Sequence, residues 1–114
     1  MTITAVTRLV SAAASTNATS AKAAPAEMYS IIGYNAAAAL RYLKLYDKAS
    51  APTVGTDTPF MTIPLPASTA FALDFPVPVY FKTGLAFALT TGVADADTGA
   101  LTAADVVGLN IAYV

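Results

Sequence analysis

Ala72-Leu73-Asp74-Phe75-Pro76-Val77-Pro78-Val79-Tyr80-Phe81 is the stretch whose reading decides the fold. Leu73, Phe75, Val77, Val79 and Phe81 fall at every second position, with Pro76 and Pro78 between them. Side chains along a strand alternate between the two faces of a sheet, so this spacing gathers the large apolar groups on one buried face. A helix is excluded, because an interior proline removes a backbone hydrogen bond and clashes with the preceding turn. Proline cannot donate to a sheet ladder either, so the segment belongs to an edge strand or a bulge.

The same period extends outward along the chain. Leu85, Phe87 and Leu89 alternate with alanines, and Val107, Leu109, Ile111 and Tyr113 alternate with Gly108, Asn110 and Ala112. A one-residue slip of that last segment would expose all four large residues, so its register is well specified. Residues 29–35 read as a strand with Ser30, Ile32 and Tyr34 opposite Tyr29, Ile31 and Gly33, and residues 60–65 as another. In residues 40–46, Leu40, Tyr42, Lys44 and Tyr46 alternate with Arg41, Leu43 and Leu45. Residues 36–44 also carry helix propensity, with Asn35 as a candidate N-cap; the tyrosines and the alternation favour strand over helix there. Clusters of Pro, Gly, Asp, Ser and Thr separate these segments, the punctuation of an all-β chain. The expected fold is a small antiparallel β-sandwich, jelly-roll or Ig-like, in one domain spanning residues 1–114, with an extended N-terminal segment. Residues 11–26 hold almost no large apolar group, so residues 1–26 are a candidate arm, with a loop and a small-residue strand as the plainer reading.

Composition narrows the chemistry. The chain has 114 residues with no Cys, His or Trp, and six Lys and Arg against seven Asp and Glu. Without Cys there are no disulfides, thiol nucleophiles or thiolate metal sites. Without His, imidazole-based catalysis and imidazole metal ligation are closed as well. The basic residues are few and scattered, which argues against nucleic acid. Residues 58–73 carry no charged side chain but include Pro59, Pro64 and Pro66, so no apolar helix can cross a membrane there. Arg8, Leu9 and Val10 make a weak secretory signal, and the eight strands of about ten residues that a transmembrane barrel needs would nearly exhaust the chain before any turns. Hydrophobic residues make up 56% and charged residues 11%, so something must cover apolar surface.

Candidate chemistry is thin, and no catalytic, cofactor-binding or metal residue is assigned; the expectation is a protein that is not an enzyme. Asp95, Asp97 and Asp105 offer oxygen ligands in the manner of a calcium loop, but Gly99 and Val106 stand where further ligands are needed. Asp95 with Asp97, or Asp74 with Asp57, are the available carboxylate pairs for acid-base hydrolysis. Asn17-Ala18-Thr19 matches a glycosylation acceptor. Tyr29, Tyr34, Tyr42 and Tyr46, read as lying on two neighbouring strands, are either core and interface aromatics or a stacking platform for glycan.

A family resemblance rests on residues 40–114. It is carried by Arg41-Tyr42-Leu43-Lys44-Leu45-Tyr46-Asp47-Lys48-Ala49, Ala51-Pro52-Thr53-Val54-Gly55-Thr56-Asp57-Thr58-Pro59, Ile63-Pro64-Leu65-Pro66 and Gly84-Leu85-Ala86-Phe87-Ala88-Leu89-Thr90-Thr91-Gly92. These resemble small virion structural proteins of tailed bacteriophages. The resemblance implies a capsid decoration (cement) protein, made in the host cytoplasm and carried on the capsid surface of the virion. Its implied partners are the major capsid protein and copies of itself, as a homotrimer, with neither nucleic acid nor membrane. A neck or tail component, or a glycan-binding adhesion module, are the alternatives.

Overall fold

The computed structural model describes residues 5–114. Eight strands follow one another with no helix among the described residues: β1 Ala5–Leu9, β2 Thr19–Lys22, β3 Ala26–Asn35, β4 Arg41–Asp47, β5 Met61–Leu65, β6 Thr69–Phe81, β7 Leu85–Thr90 and β8 Val106–Tyr113. They form two four-stranded antiparallel sheets, ordered β1-β8-β3-β6 and β2-β7-β4-β5. Pairing β4 with β5, β3 with β6, β2 with β7 and β1 with β8 is one long hairpin. Rolling it up adds the β3–β8 and β4–β7 pairs. That winding is a jelly roll.

The core lies between the sheets. Met28 and Ile31 of β3, Leu43 and Leu45 of β4, Leu85, Phe87 and Leu89 of β7, and Leu109 and Ile111 of β8 are fully buried there. Each such side chain contributes about 1.5–3 kcal/mol relative to an exposed one. The alternation in β4, β7 and the end of β8 is therefore as the sequence reads.

Bulges overturn it in two places. In β6, Val79 pairs with Met28 and Asp74 with Ser30, so the residues from Phe75 to Pro78 stand opposite Tyr29 alone. The loss of ladder pairing at Pro76 and Pro78 costs little because β6 is an edge strand. Val77, expected on the buried face, rides on this bulge at 80% exposure. In β8, Gly108 adopts φ +60°, and the pairing with β3 shifts between Ile32 and Tyr34. Val106 is thereby turned into the core with Leu109, and Val107, expected inward, is only half-buried.

Residues 36–40 are neither helix nor strand but the bend that carries the chain from one sheet to the other. Asn35 caps this corner instead of a helix. Its Oδ1 accepts from the Ala37 amide at 3.0 Å, and its Nδ2 donates to the carbonyls of Ala39, Leu65 and Pro66 at 2.9–3.1 Å. Such a side chain satisfies backbone groups that a buried loop would leave unpaired.

Of the segment read as a candidate arm, residues 1–4 lie outside the described residues. Beyond them, β1 edges one sheet and β2 the other. Between these strands polar side chains take the place of apolar burial. The Ser11 hydroxyl donates to the Thr102 carbonyl and accepts from the Val106 amide, and Asn17 Oδ1 accepts from the Ala12 amide.

Candidate functional site

Asp57, Asp97 and Asp105 are committed to holding loops. Asp97 Oδ1 accepts from the amides of Gly92 at 3.2 Å and Gly99 at 2.8 Å, closing the 91–100 loop on itself. Asp105 accepts from the Thr102 amide and hydroxyl and from Arg41 Nε at 3.0 Å. Burial pushes its carboxyl up, but the Thr102 and Arg41 hydrogen bonds outweigh it and hold the carboxyl below its ordinary value. Asp57 is held low by Lys48 at 2.6 Å and by the Thr53 amide. Among the described residues no three acidic side chains gather where they could hold a metal ion, so Asp95, Asp97 and Asp105 do not form a calcium loop. Asp74 stands outward on β6 of one sheet, whereas Asp57 belongs to the loop over the other, so this pair shares no cleft. No pocket opens among the described residues.

The tyrosines are not a platform. Tyr29 and Tyr34 belong to β3 and Tyr42 and Tyr46 to β4, strands that lie in opposite sheets and not side by side. Tyr46 is buried at 1% exposure. Asn17, the glycosylation candidate, is buried as well, and its Nδ2 donates to the Ser15 carbonyl.

What the structure does build is a contrast between two outer faces. On the β2-β7-β4-β5 sheet the chain covers itself. Tyr46, Ala86 and Ala88 pack outside the sheet against Val54 of the 48–60 loop. Beside them Lys44 is fully buried, its Nζ donating to the carbonyls of Ala94 at 2.5 Å and Asp97 at 3.4 Å. These carbonyls belong to the 91–100 loop, which meets the 48–60 loop where Gly55 lies against Thr98 and Ala96. The Tyr46 hydroxyl is left buried without a hydrogen bond. Burial first, and the negative charges of Asp57 and Asp95 after it, push that phenol above its ordinary value.

Among the described residues no loop seals the outer face of the β1-β8-β3-β6 sheet in this way. Val6 is 58% exposed, and Ile32 and Tyr34 also stand open to solvent. Ladder register aligns Val6, Ala112, Ser30 and Asp74 in one row across the strands. The next row is Arg8, Asn110, Ile32 and Ala72, and beyond it Tyr34 faces Val107 and Ala70. These are mostly small or apolar groups, the kind of patch that marks an interaction site. The surplus of apolar residues is visible in the composition, but its position on this face is not. The signal for the sealed face is the spacing of Ala86 and Ala88 between large core residues, since small side chains leave room for a covering loop.

Compared with known proteins, the chain matches no protein-family model, no curated protein and no solved structure.

Proposed function

We propose that this chain is a structural subunit of a bacteriophage virion, a capsid decoration protein that binds and stabilises the major capsid protein lattice. The observation that carries this reading is the open, weakly charged outer face of the β1-β8-β3-β6 sheet, opposite a face that the chain seals with its own loops. A protein that covers one sheet face with its own loops and leaves the other open is shaped to bury the second against a partner. The jelly roll supports the reading by analogy alone, since that winding recurs in capsid and lectin domains and a fold does not fix a function.

The mechanism is mass action. A subunit that binds the assembled shell and not its dissociated parts shifts the equilibrium toward the shell, more strongly as its free concentration rises above the dissociation constant. No proton transfer or bond cleavage is involved. Quantitative mass spectrometry of purified particles tests the location. The expected copy number is a simple fraction or multiple of the major capsid protein's, as lattice symmetry demands. A count of about a dozen or fewer per particle would place the chain at the neck or tail, where rings of low symmetry operate.

A further inference from the structure

The occupant of the open face can be argued from its charges. We propose that the β1-β8-β3-β6 face packs against the same face of a second copy, as a two-fold dimer whose axis runs parallel to the strands. This rests on the reading above that the face is an assembly surface, and it names what covers it.

Arg8 stands outward on one edge strand, β1, and Asp74 outward on the other, β6. Neither belongs to the chain's ion pairs, which join Arg41 to Asp105 and Lys48 to Asp57 among the described residues. Within one copy they are separated by three strand spacings, about 14 Å, too far to meet. Glu27, the further acidic group on β3, lies toward the far end of the strand and receives the Tyr29 hydroxyl at 3.2 Å.

Stacking two identical faces requires a two-fold axis lying in the plane between them. With the axis along the strands, β1 of each copy lies over β6 of the other. Arg8 then projects over the partner's Ala72, one outward position from the partner's Asp74, a step of about 7 Å along the strand. Stacked sheets are about 10 Å apart, so an extended arginine side chain bridges that offset. The symmetry makes the pair twice, once at each edge. With the axis across the strands, β1 would lie over β1 and β6 over β6, bringing like charges together at both edges. The charge pattern therefore selects the first arrangement and disfavours the second.

The middle of the face fits the same geometry. The axis passes between β8 and β3, so Ala112, Asn110 and Val107 of one copy lie over Ser30, Ile32 and Tyr34 of the other. Val107, Ala112, Ile32 and Tyr34 supply the apolar area, and the two charge pairs supply register. A four-stranded face is about 19 Å wide, which places the interface toward the small end of specific contacts. The dimer is accordingly concentration-dependent. Burying the open faces between two copies leaves their loop-covered faces, in duplicate, as the surfaces that meet two equivalent lattice subunits.

Sedimentation velocity of the purified full chain, over a concentration series into the high micromolar range, tests this. The expected species has twice the 11.6 kDa chain mass at the upper end, and rising salt dissociates it. Arg8→Asp alone and Asp74→Arg alone each weaken dimerisation about tenfold or more, while the double exchange restores it. Both positions are exposed, and circular dichroism of each variant checks that it folds. A wild-type chain that stays monomeric throughout, one that forms trimers, or a dimer indifferent to both reversals and to salt would overturn the proposal. Because the measurement uses the isolated chain, its failure is separate from a failure of the virion reading, which is decided by copy number in particles.

Discussion

Lys44 and Tyr46 show how differently two buried polar groups on one strand can be treated. Lys44 directs its ammonium to loop carbonyls, so the cost of removing a charge from water is offset by charge-assisted hydrogen bonds. Tyr46 packs its ring under the same loops but leaves its hydroxyl unpaired. A buried hydroxyl without a partner costs about 1–3 kcal/mol, while the ring's apolar contacts do not depend on it. Tyr46→Phe is therefore expected to stabilise the chain by about 1 kcal/mol, read as a rise in the urea midpoint with an unchanged slope. A fall in that midpoint would mean that the hydroxyl contributes a stabilising bond.

Between elements, glycines mark where strands or loops depart from regular pairing, and they do so for two separable reasons. Gly108 has φ +60° with nothing near the position of an added Cβ, so Gly108→Ala meets only the backbone penalty of the left-handed conformation, about 1–2 kcal/mol. At Gly84 an added Cβ would lie 2.6 Å from the Lys48 carbonyl, 2.7 Å from that of Lys22 and 2.8 Å from the Ala49 Cα. Backbone walls it in, and Gly84→Ala is expected to cost about 4 kcal/mol or more. Thermal unfolding of the two variants would expose the contrast, and equal losses would refute it. The Gly108 bulge also explains what the sequence leaves unread. Strict period two assumes one residue opposite one residue, and it correctly orients Leu85, Phe87, Leu89, Leu109 and Ile111. It fails at Val77 and Val107 because bulges shift the count, and where pairing resumes is set by β3, a strand distant in sequence. The sealed face is hidden for a similar reason. The alternation of Lys44 and Tyr46 with Leu43 and Leu45 does not tell which side of β4 is covered, because the loops 48–60 and 91–100 that bury Lys44 and Tyr46 are distant in sequence from each other. The open face, by contrast, is legible as a surplus of apolar residues without an address.

For the whole molecule, the response to acid is set at the junction of the two sheets. Arg41 opens β4 of one sheet and Asp105 immediately precedes β8 of the other, so their 3.0 Å ion pair clips the sheets together. The Asp105 carboxyl lies below its ordinary value of 3.8 in the folded chain. A group whose folded pKa is depressed contributes stability that is fully present above the unfolded pKa and is lost as pH falls through the folded one. With no histidine in the chain, no side chain of ordinary pKa changes charge between about pH 5 and 8, so stability should be level there. Asp57 shifts in the same direction, but its pair with Lys48 lies in a partly exposed loop where solvent screening makes it worth little. The acid limb is therefore expected to belong mainly to Asp105. Asp105→Asn should lower stability at neutral pH by about 1–3 kcal/mol and flatten the decline below about pH 4, as measured by urea unfolding across a pH series. If the substituted chain kept the wild-type acid slope, that limb would belong to other carboxylates and the Arg41–Asp105 clip would be a purely geometric contact.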